Sequence, residues 1–328
     1  RDYVSGFTGS NGTAVVTLDD AGLWTDSRYF LQAAEQLEGS GFTLHKENIP
    51  GEPTVLEWLG EVLDEDAVVG VDGRLFSLIE ANRIEMFCAQ NGFMFAPDFR
   101  AAEAIWTDRP ARPMNPAFVH DEALAGEDVD SKISRVVDAL DAADADGLLI
   151  TALDEIAWLL NLRGSDVDYT PVVIAFAYVS EDERVLFIDS EKVTSEVKDH
   201  LKKYGVKIKD YDDIEKFLGK ISSTATVMVD PNRVSDALGQ AMICNKTYMA
   251  SPVIALKGVK NECQIAGFRQ AMLYDGAAMV RMMMWLEQNV ANGITEMDVD
   301  RRLQQERAAY ASNRGDSFHM IAGYKDHG

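Results

Sequence analysis

The feature that most constrains the fold of this chain is an internal repeat. The stretch YVSGFTGS, residues 3–10, matches WLLNLRGS, residues 158–165, and the glycines Gly9 and Gly164 lie 155 positions apart. Further pairs follow in the same order: LWTDS (23–27) with LFIDS (186–190), WLG (58–60) with FLG (217–219), and VGVDGR (69–74) with VMVDPNR (227–233). A duplicated domain with loop insertions leaves such a pattern. We therefore predict two copies of one module within the first 256 residues.

Each copy shows alternating strand and helix patterns. In the second copy, SKISRVVDALDAA places apolar residues on one helical face behind a Ser131 cap, and GLLIT (147–151) is typical of a short buried strand. A helix starting at Asp154 and Glu155 is expected next, followed by PVVIAFAYV and ERVLFI as two strands joined by a SEDE turn. This alternation predicts the α/β fold class with a mixed sheet in each copy.

Proline spacing suggests where the copies divide. Pro97, Pro110, Pro113 and Pro116 lie within or near the stretch WTDRPARP (106–113), which is typical of a linker. The first domain is therefore predicted at residues 1–113 and the second at 114–256. The second copy has a helix and a strand before its repeat motif, whereas the first has only Arg1 and Asp2. The repeat therefore predicts that roughly 35 further positions of the first copy precede residue 1.

A third domain is predicted to begin in residues 257–328. A long helix opens at Asn261 and Glu262, and a second helix has Thr295 as its N-cap with Asp298 three residues on, a variant of the capping box. The stretch SFHMIA (317–322) then reads as the start of a strand. Two helices and one strand cannot cover the faces of a mixed sheet, so these residues predict an unfinished domain.

Composition excludes several classes of partner. The chain has 31 Lys and Arg against 54 Asp and Glu, a net charge of -23, so it should repel nucleic acid and anionic membrane surfaces. Its apolar stretches are well short of the roughly 20 residues that span a bilayer. The three cysteines are widely spaced, which indicates a reducing compartment, and we expect a cytoplasmic protein.

A catalytic constellation is not recognisable in the sequence. The five histidines include no His-Glu-x-x-His motif, and His319 and His327 form at most a pair where a metal site needs three or four ligands. The glycine turns lack the lysine of a phosphate-binding loop, and no Gly-x-Ser-x-Gly motif occurs. We therefore predict no catalytic and no metal-ligating residue in this chain.

Comparison of the two copies singles out one residue as a binding candidate. TDSRYF in the first copy aligns with IDSEKV in the second, so Arg28 stands opposite Glu191 just after a strand. A guanidinium offers a planar fork that suits a carboxylate, which a glutamate would repel. Two interpretations follow from the residues: Arg28 binds a ligand, or it is a structural arginine paired with Asp26 or Asp20.

The motifs together resemble a known family. YVSGFTGSNGTAVVT with LWTDSRYFLQA, then IWTDRPARP and TALDEIAWLLNLRGSD, closely resemble the three-domain cytosolic aminopeptidases P, also called Xaa-Pro aminopeptidases, and the resemblance covers essentially the whole chain. It implies two tandem creatinase N-terminal-like (ribonuclease H-like) domains, followed by the opening helices and strand of a pita-bread metallopeptidase domain. It further implies a homodimer that binds two metal ions per subunit, usually Mn²⁺, and removes the N-terminal residue from peptides with proline in second position.

The resemblance also places the chemistry outside this chain. The family's two Asp, one His and two Glu metal ligands lie beyond Gly328, which matches the glycine of a Gly-Ala-x-x-His-Tyr stretch, and His327 falls where the family usually has Asn. Residues 1–328 alone are therefore expected neither to bind Mn²⁺ at the family site nor to cleave peptides. The family's TD-x-R-Y-F motif implies that Arg28 contacts the peptide substrate.

Two other functions are compatible with parts of this sequence. A catalytically inactive pita-bread scaffold could use the negative charge to bind a basic partner such as a histone, although the acidity is dispersed rather than gathered in a tail. A creatinase or prolidase relative normally has a single N-terminal domain, so the duplication argues against it.

Overall fold

The chain folds into two compact units in the computed structural model, which describes residues 1–325. Residues Arg1–Pro110 and Ser235–Ala237 form the first unit, and Ala111–Val234 with the chain from Leu238 onward forms the second. The elements of the first unit are, in chain order, α1 (Asp2–Ser5), β1 (Thr13–Val16), β2 (Ala21–Thr25), α2 (Phe30–Gln36), β3 (Thr43–Lys46), α3 (Val55–Val62), β4 (Val68–Gly70), α4 (Leu78–Asn91), β5 (Met94–Ala96) and α5 (Ala101–Ile105).

The first unit contains two small sheets. β1 pairs antiparallel with β2, β2 pairs parallel with β3, and β4 pairs parallel with β5. Capping boxes at Thr54 and Ser77 start α3 and α4, because each hydroxyl accepts a bond from a backbone N–H while a glutamate three residues on returns one. Apolar residues close the interior in two clusters, of which the larger side chains are Phe7, Leu23, Trp24 and Trp58.

The rest of the chain continues with a longer run of elements. These are β6 (Phe118–Val119), α6 (Glu122–Ala125), α7 (Val129–Asp141), β7 (Gly147–Ile150), α8 (Leu153–Leu159), β8 (Leu162–Arg163), β9 (Phe176–Ser180), β10 (Arg184–Phe187), α9 (Ser195–Lys203), β11 (Lys207–Lys209), α10 (Ile214–Leu218), β12 (Thr226–Val229), α11 (Asp236–Ala241), β13 (Asn245–Tyr248), α12 (Pro252–Gly258), α13 (Glu262–Asn289) and α14 (Glu296–Ala308).

One six-stranded mixed sheet organises the second unit, in the order β11-β10-β9-β7-β12-β13. β9 pairs antiparallel with β7 and β10, whereas β10–β11, β7–β12 and β12–β13 are parallel. All four residues of β7 are buried, as the apolar run at 147–151 predicted. Helix α7 lays Ile133, Val136 and Leu140 against this sheet, since these positions share one helical face.

The repeat predicted from sequence is visible in the strand pairing. β1-β2-β3 has the antiparallel and then parallel order of β9-β10-β11, and the parallel pair β4-β5 corresponds to β12-β13. In the second unit β7 joins the two halves into one sheet, while residues 1–110 of the first unit contain no strand that joins its two sheets. Mixed α/β sheets in two copies, as predicted, are therefore the architecture of this chain.

Two local predictions differ from the structure. The N-cap of α7 is Asp128, whose carboxylate accepts a hydrogen bond from Ser131 N at 2.7 Å, so Ser131 lies inside the first turn. The strand expected in residues 317–322 is not formed: within the described part of the chain these residues follow α14 without regular secondary structure. A strand requires a partner for its backbone hydrogen bonds, and none of the strands from β1 to β13 pairs with this segment.

The third predicted segment consists of two contacting helices. α13 is 28 residues long and begins with a capping box formed by Asn261 and Gln264. α14 begins with the predicted capping box of Thr295 and Asp298. Ala278, Met282 and Leu303 form the small buried cluster between the two helices. No helix within residues 1–325 is both long and apolar enough to cross a membrane.

Candidate substrate-contact site at Arg28

Arg28 lies directly after β2, in a 3₁₀ turn formed by Ser27–Tyr29. Asp26 caps this turn, because its side chain accepts a hydrogen bond from the backbone N–H of Arg28 at 3.1 Å. Strand β2, which precedes this turn, is buried from Gly22 to Thr25. The stretch TDSRYF therefore begins in the core and reaches the surface at Arg28. The Arg28 side chain is 65% exposed, which leaves it accessible to a ligand.

Asp26 orients the Arg28 guanidinium through a two-point contact. Arg28 Nε donates to Asp26 Oδ1 at 2.9 Å and Nη2 donates to Asp26 Oδ2 at 2.7 Å. The bonds from Arg28 hold the pKa of Asp26 well below its usual range and raise the pKa of the guanidinium. The ion pair considered from the sequence is therefore present, with Asp26 as the partner. The ion pair occupies only the Nε–Nη2 edge of the Arg28 guanidinium. Nη1 and the second N–H of Nη2 have no partner among residues 1–325.

The loop of the repeat motif supports this arrangement. Asn11 Nδ2 donates to Asp26 Oδ2 at 2.7 Å, and Thr25 Oγ1 donates to the Asn11 carbonyl at 2.7 Å. The Tyr29 ring lies 5.0 Å below the guanidinium, and its hydroxyl is hydrogen-bonded to Ser10. A fixed guanidinium with a free edge loses less conformational freedom on binding a carboxylate than a mobile one does.

Asp72 and Arg74 repeat the same local geometry in the same unit. Arg74 Nε donates to Asp72 Oδ1 at 2.9 Å and Nη2 donates to Asp72 Oδ2 at 2.6 Å. Arg74 Nη2 also lies 2.7 Å from Glu103 Oε1, so two carboxylates neutralise this arginine where one neutralises Arg28. Arg74 is therefore the natural structural comparison for Arg28.

The second copy uses the corresponding loop and turn differently. Asp166 takes the place of Asn11 and Lys192 that of Tyr29, and Lys192 Nζ lies 2.7 Å from Asp166 Oδ2 with both side chains buried. The counterpart of Arg28, Glu191, is also exposed but carries the opposite charge. The sequence analysis did not predict this buried ion pair. The signal was present in the alignment, since the neutral residues Asn11 and Tyr29 of the first copy are replaced by an acid and a base in the second.

The histidines are dispersed. His45 is buried against Trp24, with ring centroids 4.2 Å apart, His200 Nε2 lies 2.9 Å from the Leu160 carbonyl, and His319 contacts Tyr169. His327, like Gly328, lies outside the described residues. Within residues 1–325 no three His, Cys, Asp or Glu side chains converge as metal ligands would. The described residues therefore do not fit a dinuclear metal centre.

Comparison with known proteins agrees with this architecture. Two models of the Creatinase/Prolidase N-terminal domain match residues 1–96 and 108–264. Aminopeptidase P2 of Arabidopsis thaliana is 36% identical to this chain over 98% of its length, and a probable Xaa-Pro aminopeptidase P of Coprinopsis cinerea is 35% identical over 98%. These matches cover 50% and 55% of the relatives, so the chain spans about half the length of the curated relatives it matches.

A solved structure is similar to nearly all of this chain. The X-prolyl aminopeptidase of Caenorhabditis elegans, described as a cytosolic enzyme with a di-nuclear active site, is 30% identical, with a TM-score of 0.91 over 97% of this chain and 53% of its own. Residues 1–96 and 108–264 thus form two tandem creatinase N-terminal domains. With the repeat, the motifs and these matches in agreement, the chain belongs to the Xaa-Pro aminopeptidase family.

Proposed function

We propose that this chain is the N-terminal part of a metal-dependent aminopeptidase that releases the N-terminal residue from peptides with proline in second position. The similarity to X-prolyl aminopeptidases over 97–98% of the chain carries this proposal. Peptides with an Xaa-Pro N-terminus are then the substrates. The chain is predicted to supply substrate contacts and dimer contacts, while the chemical step takes place elsewhere in the protein.

In this proposal Arg28 binds the carboxyl end of a short peptide substrate. Its support is the geometry of the fork: Asp26 holds Nε and Nη2 on one side, and the remaining N–H groups face outward from an exposed side chain. Two N–H groups on one edge of a guanidinium match the two oxygens of a carboxylate. Because the Asp26 charge offsets part of the attraction, the contribution should be modest and sensitive to salt.

The remaining elements of the proposal concern the complete protein. In this proposal the complete protein comprises creatinase-like domains at residues 1–113 and 114–256 and a pita-bread domain from residue 257 onward. It is cytoplasmic and homodimeric, and it uses two Mn²⁺ ions whose ligands lie outside this chain. A dinuclear site of this kind would supply the nucleophile, and residues 1–325 are assigned no step in that chemistry.

Kinetics of the full-length enzyme test the role of Arg28. Arg28→Ala should raise KM for a tripeptide Xaa-Pro-Xaa about three- to tenfold, as expected for an exposed charged contact worth about 1 kcal/mol. kcat should change little, because the interaction exists equally in the ground state and the transition state. The same peptide with a C-terminal amide should show no difference between the wild type and Arg28→Ala.

Arg74→Ala is the matched control, since it removes an arginine with the same aspartate contact from the same unit. Equal effects of Arg28→Ala on the free acid and on the amide would contradict the carboxylate contact. A full-length protein that cleaves no Xaa-Pro peptide with Mn²⁺ present would contradict the enzymatic proposal, and binding to a basic protein would then favour the scaffold alternative.

The isolated chain provides a second test. Purified residues 1–328 should show no Xaa-Pro cleavage and no stoichiometric Mn²⁺ binding by calorimetry. Chelator-sensitive cleavage by this chain alone would overturn the placement of the chemistry outside it.

A further inference from the structure

A cavity of about 530 Å³ in the second unit carries an inference beyond the proposed function. It lies between α8, α12, α13 and the loop that follows β8, and its lining includes Trp158, Arg163, Pro171, Lys260, Gly267 and Phe268. The volume falls in the range of about 300–1,000 Å³ that small-molecule sites occupy. Its walls are largely apolar, so the charged groups among them stand out.

Arg163 is a charged group of this lining that has no counterion among residues 1–325. Its Nη1 donates to the carbonyls of Ala157 at 2.9 Å and Leu162 at 2.8 Å, which fixes the guanidinium plane. No acidic side chain in residues 1–325 pairs with it, and its Nε and Nη2 have no hydrogen-bond partner there. Burial without a counterion lowers the pKa of Arg163. A half-buried arginine with a free Nε–Nη2 edge is unusual, because desolvating a cation is unfavourable unless an anion accompanies it.

The repeat shows that a turn of this kind can form without an arginine. In the first copy the same position is Thr8, between Phe7 and Gly9, as Arg163 lies between Leu162 and Gly164. The preceding residues also correspond in backbone conformation, since Gly6 has φ 76° and Asn161 has φ 49°. A threonine therefore meets the structural demands of this turn, and the guanidinium needs a separate explanation.

The neighbouring charges make the cavity electropositive. Asp154, an acidic residue of the lining, is paired with Lys257. The ammonium of Lys260 donates to the Lys257 carbonyl and forms no ion pair with an acidic residue that the structure describes. Lys132 is not part of the lining, but its Nζ lies 4.6 Å from the centre of the Trp158 ring, which is. The lining thus carries three basic side chains, Arg163, Lys257 and Lys260, against the acidic side chain of Asp154, and this local excess favours a negative ligand.

We propose that this cavity is a binding site for a small organic carboxylate with an aromatic or branched aliphatic body. The carboxylate binds the Nε–Nη2 edge of Arg163, with Lys260 adding attraction, and the body packs on Trp158, Pro171 and Phe268. Phe268 is 56% exposed and Trp158 only 7%, so the ligand would cover apolar surface that is now open to water. The two-point contact fixes the ligand's orientation, and the apolar walls supply the rest of the affinity.

Titration calorimetry on the full-length protein tests this site, with 3-phenylpropionate as probe and the neutral 3-phenylpropanamide as its match. The wild type should bind the acid saturably and the amide at least about tenfold more weakly, as expected for loss of a charge-assisted bond pair. Arg163→Gln should lower the affinity for the acid by about tenfold or more. Arg112→Gln removes a surface arginine already paired with Asp212 in the same unit and should leave binding unchanged.

A second variant separates loss of the site from loss of folding. A side chain at Gly267 would meet no atom within 4 Å of its Cβ, and the residue lies inside α13, so Gly267→Phe should fill the cavity and leave the helix intact. It should abolish binding of the acid while the thermal unfolding midpoint stays at or above that of the wild type. Wild-type affinity in Gly267→Phe, equal affinity for acid and amide, or no saturable binding of the acid would each overturn the proposal.

Discussion

Lys192 Nζ lies 2.7 Å from Asp166 Oδ2, and the side chains of the two residues are 2% and 0% exposed. Asp166 Oδ2 also accepts a hydrogen bond from Ile174 N at 2.7 Å, whereas its Oδ1 has no partner among the described residues. The pair ties the loop after β8 to the turn after β10. It therefore joins, inside the second copy, the same two segments that Asn11 and Asp26 join at the surface of the first.

Breaking this pair should strongly destabilise the second unit. Asp166→Ala leaves the Lys192 ammonium buried without a counterion, so we expect the free energy of unfolding to fall by about 3–5 kcal/mol. The double variant Asp166→Leu/Lys192→Met should recover much of that loss, because both charges are removed together. Urea unfolding measures both effects, and a double variant no more stable than Asp166→Ala would contradict this account.

The pKa of Asp26 should depend on Arg28. In the wild type the Arg28 bonds lower this pKa, so the ion pair is complete above the usual carboxyl range and is lost only as the pH falls through the lowered value. In Arg28→Ala the pKa should rise toward the ordinary value of about 3.9. Carbon-13 NMR titration of labelled aspartates measures this shift, and Arg74→Ala should leave Asp26 unchanged.

Lys132 should give the second unit a characteristic pH dependence. Burial lowers its pKa from 10.5 to about 8, with Arg163 and Arg135 acting in the same direction and Glu127 and Asp128 against it. Between these values the unfolded chain binds a proton that the native state does not, so stability attributable to Lys132 rises as the pH increases from 8 to 10.5.

Lys132→Met isolates this contribution. Relative to that variant, the wild type should gain up to about 1.4 kcal/mol per pH unit in this window. Denaturant unfolding of both proteins at pH 7, 8, 9 and 10 measures the difference. Parallel pH profiles for the two proteins would refute the lowered pKa.

The same substitution should have opposite effects at two glycines. A Cβ on Gly164 would lie 2.3 Å from Val173 Cγ1, so Gly164→Ala should destabilise the protein by about 1–3 kcal/mol. Gly276 lies in α13 with nothing within 4 Å of such a Cβ, and Gly276→Ala should stabilise the helix by up to about 1 kcal/mol. Thermal unfolding compares them, and a neutral Gly164→Ala would contradict the tight contact.

The repeated Gly-Ser motif illustrates what sequence reasoning could reach. A Cβ on Gly9 would lie 2.2 Å from the Phe7 ring, as one on Gly164 would meet Val173, so both glycines are required by close packing. Self-comparison detected the matching glycines, and the structure supplies the packing contacts that explain them. It also detected Arg28, since a residue that differs between otherwise matching turns is not explained by the shared backbone.

The strand expected at residues 317–322 shows the limit of local patterns. Alternating apolar residues describe a segment that can pair, but pairing needs a neighbouring strand with free backbone groups. The segment follows α14 without such a partner in the described part of the chain. Similarly, Ser131 had the right residue type for a cap, yet Asp128 took that position one turn earlier.

The sequence by itself determined the duplication, the alternation of strands and helices, the capping residues of the last two helices and the family, because these depend on residues close in the chain or on motifs preserved in order. Only the tertiary structure decided which charges are exposed and which are buried. Asp166 with Lys192, Arg163 in its cavity and Arg28 on its aspartate all belong to the same two repeated motifs. Their electrostatic roles differ because desolvation and counterions are set by distant segments that pack around each motif.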